Sequence, residues 1–158
     1  MTCCSRNCNC RRQTPVRNTN DNFIFSAVEV AQTELQTVET GNPVLFNNTV
    51  ANTGVSFTYE NGNEFVNIIA SGVYKISFVG SITTTESSKV QLALASNDTA
   101  QLVSTITQNI STGEFENVKT EIILKVISPP NRISVLNTGN SSFNIQNAML
   151  SIVRIGDF

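Results

Sequence analysis

The chain of 158 residues has no histidine and no tryptophan, and only 14% of its residues are charged. Without histidine there is no imidazole to act as a general base, to activate a serine or cysteine nucleophile, or to bind a metal. The formal net charge of −2 gives no overall attraction to the phosphates of nucleic acid. We therefore expect no enzymatic activity, no cofactor and no nucleic-acid partner.

Long apolar runs are also absent. No segment reaches the about 18 consecutive apolar residues of a membrane-spanning helix. Near the N-terminus, the basic residues are not followed by the apolar stretch of about 7–15 residues that a secretory signal peptide requires. We therefore expect no membrane partner and no export by a signal peptide.

Most of the chain alternates between apolar and polar residues in short runs, which is the pattern of β-strands. Thr, Val and Ile favour strands, while clusters of Asn, Gly and Pro mark the turns. The pair Asn61-Gly62 indicates a β-hairpin with a type I′ turn. The runs that we expect to form strands lie at residues 23–30, 44–46, 55–59, 65–69, 72–78, 90–94, 102–106, 122–126, 133–135 and 148–155. This pattern predicts an all-β sandwich or jelly roll without helices, in which the last run is a central strand covered on both faces.

Every cysteine of the chain lies in its first ten residues, at Cys3, Cys4, Cys8 and Cys10. Residues 1–20 also carry four arginines and no acidic residue, whereas residues 21–158 carry six basic and twelve acidic ones. The leading segment has no apolar periodicity and so cannot bury a core of its own. We predict two parts: a Cys/Arg-rich connector arm at residues 1–20 and a globular domain at residues 21–158.

The cysteine cluster admits several uses. Disulfides within it would close loops too small to add much stability. A thiolate zinc site would lack the long insert that usually separates two cysteine pairs, and a redox-active thiol would need a prepared pocket. An extended arm of about 20 residues reaches up to ~65 Å, enough to touch a neighbouring subunit. We interpret the four cysteines as intermolecular cross-links and assign no metal ligand; zinc or redox chemistry, and an anionic contact of the arginines, stay open as alternatives.

Seven residues between positions 46 and 78 follow a recognisable spacing: Phe46, Asn52, Phe57, Phe65, Gly72, Tyr74 and Phe78. This pattern resembles the signature of the C1q and tumour-necrosis-factor-like jelly roll, with two single-residue insertions and with Ile76 where that family prefers an aromatic residue. The resemblance implies a C1q/TNF-like jelly-roll sandwich that forms a homotrimer, with aromatic and aliphatic side chains meeting at the threefold axis. The pattern does not decide whether the signature residues lie in the core of the domain or in the contact between subunits of the trimer.

Two further resemblances concern the ends of the chain. The Asn/Thr-rich domain, with its closing apolar strand at residues 148–153, is similar to the C-terminal domains of Bacillus-type collagen-like spore-surface glycoproteins. The N-terminal arm resembles the connector of endospore appendage (Ena) pilus subunits, in which a Cys-Cys pair and a later cysteine cross-link successive subunits. Cys3-Cys4 resembles the pair, and Cys8 or Cys10 stands for the later cysteine.

Together these resemblances imply a structural subunit of a self-assembling, disulfide-cross-linked extracellular fibre, such as an endospore appendage. Its partners would be copies of itself and other spore-surface proteins, and it would be made in the mother-cell cytoplasm before reaching the spore surface. The alternative is a trimeric C1q-like head that binds or adheres at the spore or cell surface. Because arm and domain carry opposite charge, we also expect Arg11 and Arg12 to pair with acidic positions on the receiving subunit.

Overall fold

Two antiparallel sheets pack face to face in a computed structural model of the protein, which describes residues 25–157. The strands in this part of the chain are β1 (Ala27–Gln32), β2 (Gln36–Val38), β3 (Asn48–Thr53), β4 (Phe57–Thr58), β5 (Val66–Ile68), β6 (Gly72–Thr83), β7 (Ser88–Ser96), β8 (Thr99–Ala100), β9 (Ile106–Ile110), β10 (Glu116–Val126), β11 (Asn131–Asn137) and β12 (Phe143–Gly156). A single 3₁₀ turn, Leu102–Ser104, is the one helical element between residues 25 and 157. The predicted all-β class is confirmed.

Neighbouring strands in each sheet come from distant parts of the chain. The first sheet has the order β10-β6-β12-β1-β3, with β2 paired to β12, and the second has the order β4-β5-β11-β7-β8, with β9 paired to β7. The chain changes sheet between β3 and β4, on either side of β6, between β9 and β10, and on either side of β11. Such repeated crossing between two antiparallel sheets is the jelly-roll arrangement.

The core lies between the sheets, and in strands such as β1 and β6 it is built by alternation of buried and more exposed residues. In β6, Tyr74, Ile76 and Phe78 are completely buried, whereas the residues between them point away from the second sheet. The ring of Phe57 in the second sheet meets that of Tyr74 edge to face, with 5.7 Å between the centroids. This geometry is the favourable one for two aromatic rings and ties the two sheets together.

The hairpin at Asn61-Gly62 is present, but its turn is not of type I′. Strands β4 and β5 pair on either side of it, and Asn63 N donates to Glu60 O at 3.1 Å. Gly62 has a φ of +86°, whereas Asn61 is not at positive φ, and a type I′ turn requires both. The signature of a two-residue I′ turn occurs elsewhere, at Asn97 and Asp98, which have φ values of 48° and 64° and join β7 to β8.

Three expected strands differ from the observed ones. The run at residues 102–106 is a strand only from Ile106 onward, because its first three residues form the 3₁₀ turn. Residues 44–46 form no strand, although Val44 N still donates to Val135 O at 2.8 Å and its side chain is buried. Strand β12 is central as expected, but the part of the chain that the structure describes covers only one of its faces: Leu150 is buried and Met149 is half-exposed.

Candidate functional site

The side chains of the first sheet that point away from the second sheet form a continuous surface, which we call the open face. In the centre of this sheet the register aligns three rows of side chains across β1, β12, β6 and β10. The rows are Ala27-Val153-Lys75-Ile123, Glu29-Ser151-Ser77-Glu121 and Ala31-Met149-Val79-Lys119. Eight of these twelve side chains are small or apolar, and the other four are two lysines and two glutamates.

The four charges in these rows balance, because Lys75 and Lys119 stand against Glu29 and Glu121. Lys75 Nζ lies 3.0 Å from Glu121 Oε2, and both side chains are about half-exposed. Such a surface pair contributes little to stability, at most about 1 kcal/mol, but it leaves the middle of the face without net charge. Glu29 accepts a hydrogen bond from Ser151 Oγ at 3.3 Å. The central rows of the face therefore carry no net charge, and Lys75, Glu121 and Glu29 have partners within the face.

The two halves of the open face differ in side-chain size. On the β1 side, Ala27 and Ala31 leave the backbone close to the surface, and Ala51 of β3 continues this alanine half next to Glu29. On the opposite side, β10 is an edge strand that pairs only with β6 among residues 25–157, and it carries the larger Ile123, which is 68% exposed. The alanine half is thus a shallow depression, and the β10 side is raised.

Two apolar side chains project beside this raised edge. Leu102 and Val103, which we call the apolar knob, are 86% and 88% exposed, more than any other large apolar residue between positions 25 and 157. The turn that carries them is held by Ser104, whose hydroxyl accepts from Leu94 N at 2.9 Å and donates to Gln101 O at 2.7 Å. Thr120 Oγ1 of β10 also donates to Ser104 O at 2.9 Å. A fixed turn that presents two apolar side chains to solvent is typical of a contact surface.

Most of the seven signature residues lie in the core rather than on the open face. Phe46, Tyr74 and Phe78 are completely buried, and Phe57 is 6% exposed. Phe65 is half-buried beneath the guanidinium of Arg132, with Arg132 Cζ 5.2 Å from the ring centroid. The backbone of Gly72 is buried, whereas Asn52 is exposed on β3.

Gly72 and Tyr74 belong to one packed corner of the core. A Cβ atom at position 72 would lie 2.9 Å from Arg154 Nε and 3.0 Å from Gly156 O, so only glycine fits. Arg154 in turn donates to Ser71 O at 2.9 Å. The hydroxyl of Tyr74 donates to Ala70 O at 2.7 Å, and burial raises the pKa of this phenol above its ordinary value. These residues fix where β6 begins and take no part in the open face.

Different parts of the chain lie at the two ends of the sandwich. Strand β1 starts beside the end of β12, because Ala27 pairs with Val153 and Arg154 N donates to Ser26 O at 2.9 Å. We call this the arm end, since residue 25 follows the predicted connector. The loops at residues 84–87 and 138–142 lie at the opposite, distal end, where Thr83 of β6 pairs with Asn144 of β12.

Several predictions fall on residues outside the described range. The four cysteines Cys3, Cys4, Cys8 and Cys10, the pair Arg11 and Arg12, and the boundary at residue 20 all precede residue 25. Their roles stay predictions. Between residues 25 and 157 no group of three or more Cys, Asp or Glu side chains is placed to hold a metal ion. No helix in that same part of the chain is long and apolar enough to cross a membrane.

Sequence reasoning did not single out the open face or the apolar knob. A signal for the open face was present, because Val73, Ser77 and Val79 occupy the alternate positions of β6 and are small or apolar where a solvated strand would carry polar residues. The sequence had no comparable signal for the knob, because an apolar pair ordinarily predicts burial.

The sheet order and the crossings define the chain as a C1q/TNF-like jelly roll, and solved structures of that fold are similar to it along most of its length. The globular domain of zebrafish complement 1qA protein matches with a TM-score of 0.61 and 15% identity, over 84% of this chain and 99% of that one. Murine APRIL at pH 5.0 matches with a TM-score of 0.64 and 10% identity, over 83% of this chain and 99% of that one. Eiger TNF from S. frugiperda matches with a TM-score of 0.60 and 13% identity, over 85% of this chain and 95% of that one. No family model and no curated protein sequence matches the chain.

Proposed function

We propose that the domain is a self-associating, non-enzymatic head that forms a homotrimer through its open face. The observation that carries this proposal is the composition of that face, on which alanine, valine, serine and methionine dominate and the charges balance. An exposed surface of this kind gains free energy when another apolar surface removes it from water. A second copy of the chain is always available to do so, and closed rings of copies are the usual result.

A ring of three copies needs two different contact patches on each copy, because each subunit touches its two neighbours in different ways. The alanine half and the raised β10 edge with its apolar knob meet this requirement. The knob and Ile123 of one copy would fill the depression above Ala27 and Ala31 of the next. The same contact would cover the unpaired backbone groups of an edge strand of 11 residues.

The charges of the two patches are complementary. Glu29 lies in the alanine half, and Lys119 lies on the β10 edge beside Glu121, whose own charge is paired with Lys75. Packing the β10 edge of one copy against β1 of the next would bring these opposite charges together, which would favour the correct register and speed association. A symmetric contact of alanine half with alanine half would instead place two Glu29 carboxylates near each other.

The direct test is the mass of the full chain in solution, measured by sedimentation under reducing conditions. We expect a species of three times the 17.2 kDa of one chain at micromolar concentration. A monomer at all concentrations would contradict the proposal, and a dimer would contradict the ring geometry. Reduction is required so that disulfides of the arm cannot hold together copies that the open face does not.

A second candidate function is the subunit of a disulfide-cross-linked fibre, in which the trimers are joined through their arms. It is favoured by the confinement of all cysteines to the first ten residues, together with the position of residue 25 at one end of the sandwich. Rotation about a threefold axis would place three arms at the same level of a trimer. Their cysteines would then be free to bond a neighbouring trimer, and the cross-links would prevent dissociation without a reductant.

Replacing Cys3, Cys4, Cys8 and Cys10 by serine tests the fibre. We expect the wild-type chain, once oxidised, to form filaments in electron micrographs and ladders on a non-reducing gel. The serine variant should form trimers of unchanged mass but no filaments that resist boiling detergent. Equally resistant filaments from the serine variant would remove the cross-linking role and leave the trimeric head untouched. Charge reversal at Arg11 and Arg12 should slow filament growth at low salt if these arginines meet acidic groups of the receiving subunit.

A further inference from the structure

The arm end carries a group of exposed apolar side chains that the proposed trimer contact does not use. It consists of five residues that are 44% to 70% exposed, and we call it the end strip: Phe25, Val55, Ile69, Ile127 and Ile155. The loops of the distal end, at residues 84–87 and 138–142, contain no large apolar residue. Exposed apolar side chains that lie together are typical of a contact surface, so the two ends of the sandwich differ in what they can bind.

Backbone contacts bring the members of the end strip together. Ile155 lies beside Phe25, because the antiparallel register of β1 and β12, continued by two residues, places them opposite each other. Val55 follows Gly54, where a Cβ atom would lie 2.8 Å from Phe25 O. These three residues are therefore neighbours, although they come from three distant parts of the chain.

The other two members extend the strip to either side. Ile69 N donates to Ser56 O at 2.8 Å, which places Ile69 next to Val55. Ile127 directly follows β10, whose last residue pairs with the first residue of β6 beside the end of β12. The strip thus runs across the ends of both sheets, whereas the open face belongs to the first sheet alone.

The charges beside the end strip do not prevent a contact between two copies. Arg154 is paired with Asp157, and Lys125 precedes Ile127 by two residues. These three charged groups together carry one positive charge. Two end strips can therefore meet with only a small repulsion between the domains.

The place where the arm begins indicates what covers the strip. Residues 1–24, with all four cysteines of the chain, lead directly into Phe25 and so start within the strip. The polar loops of the distal end offer no matching cover, whereas the end strip of a second copy is equally apolar and brings the starts of two arms together. The cysteines of both copies are then concentrated at one junction, where disulfides between the copies form more readily than between free chains.

We propose that two copies of the chain pair through their end strips across a twofold axis. Such a contact closes on itself, because both copies use the same patch. If the open face forms the trimer, three end strips lie at one level and two trimers join arm end to arm end. This joining of trimers rests on the proposed function, whereas the pairing of two copies does not.

The pairing should be weaker than the trimer contact. Five side chains from each copy make a small interface, and the four arginines of each arm repel those of the other copy. We therefore expect pairing at about 100 µM chain rather than at micromolar concentration. Raising the salt from about 50 mM to about 500 mM should strengthen it, because salt screens the repulsion between the arms.

Sedimentation of the full chain with all four cysteines replaced by serine tests the end strip without help from disulfides. At about 100 µM we expect assemblies of six copies, reduced to three by Ile127→Asp and to two by Met149→Glu, which disables only the open face. The matched control is Leu35→Asp, which changes an apolar residue that is 57% exposed in the loop between β1 and β2, away from the arm end. This control should keep six copies.

The outcomes separate the pairing from the trimer. Three copies at every concentration and salt would overturn the pairing and leave the trimer in place. Two copies that Ile127→Asp reduces to one would support the pairing and overturn the trimer. If Ile127→Asp leaves the number of copies unchanged, the assignment to the end strip is wrong, and a lower melting temperature in that variant would show that its own copy covers the side chain.

Discussion

The two faces of the first sheet are made by the same strands yet have different physical roles. Along β6, Ile76 and Phe78 point inward and are completely buried, while Ser77 and Val79 point outward and are half-buried. The inward residues are large and fill the space between the sheets, whereas the outward ones are small. Period-two alternation therefore separates residues that hold the fold together from residues that are free to serve contact between copies.

The outer face of the second sheet sharpens the contrast. It carries polar side chains that are satisfied within the chain: Gln91 Nε2 donates to Thr107 Oγ1 at 3.1 Å, and Arg132 is paired with Asp98. In the middle of this face Ala93, Ala95 and Ser134 are at most 4% exposed, so it is already covered there by other parts of the chain. The open face has bonds of its own between Lys75 and Glu121 and between Ser151 and Glu29, but its central Val79 and Met149 stay partly exposed, so the two outer faces differ in how far they are covered.

The largest expected effect comes from the inward side. Phe78→Ala removes a completely buried aromatic ring from the centre of the core and should lower the free energy of unfolding by about 3–5 kcal/mol. That is a large part of the about 5–15 kcal/mol by which domains are usually stable. Urea unfolding at a fixed protein concentration measures it. The neighbouring Ser77→Ala, on the open face, is the control and should change stability by less than about 1 kcal/mol; equal losses in the two variants would contradict the division of faces.

A smaller effect, on association alone, is expected from the outward side. Met149→Glu places a carboxylate in the middle of the open face and should weaken trimer formation at least about 100-fold, because the charge would be buried without a partner. The secondary structure measured by circular dichroism should not change. Gln91→Glu, on the outer face of the second sheet, adds the same charge where no contact is proposed and should leave the trimer intact.

Mixing two defective variants tests whether the two patches differ. A Leu102→Asp, Val103→Asp double variant disables the knob but keeps the open face, whereas Met149→Glu does the reverse. In a mixture, the knob of one variant can meet the open face of the other, so we expect heterodimers that neither variant forms alone. If the mixture stays monomeric while each variant is folded, the two-patch ring is wrong even though the open face remains a contact surface.

The sequence predicted most of the fold because the fold depends on local patterns. Alternation in β6 and β10 and the turn residues between strands were sufficient for an all-β sandwich, and the spacing from Phe46 to Phe78 indicated the jelly roll. The turn at Asn97-Asp98 was missed although both residues tolerate positive φ. The 3₁₀ turn could not be predicted, because Ser104 is held by Leu94, ten residues away in the chain, and such bonds follow from packing.

The candidate sites were less predictable than the fold. A continuous apolar run in β12 predicted cover on both faces, and within the chain only the side of Leu150 and Ile152 is covered. The proposed neighbouring copy would supply the missing cover for Met149 and Val153. Nothing in the sequence indicates that Thr84 is buried. A threonine in a Thr/Ser-rich loop is expected to be exposed to solvent, whereas Thr84 is only 4% exposed in the fold.

The smallest expected effect concerns the two tyrosines, the only ones in a chain without tryptophan. Burial raises the pKa of Tyr59 and of Tyr74, whose hydroxyls donate to Phe46 O and Ala70 O. The folded chain therefore holds protons that the unfolded chain loses near pH 10. It follows that the stabilisation is complete below about pH 10 and is lost as the pH rises through the raised pKa values of the folded state.

Near-ultraviolet absorbance of tyrosinate measures this without interference from other residues, because no tryptophan is present. The folded chain should ionise at higher pH than the same chain in urea, and Tyr59→Phe should leave only the rise that belongs to the buried Tyr74. Tyrosinate that appears near pH 10 while circular dichroism still shows a folded chain would mean that water reaches these phenols. The inner face of the first sheet would then be open to water at Tyr74. In β6 the contrast between a buried inner face and an exposed outer face would then rest on Ile76 and Phe78 alone.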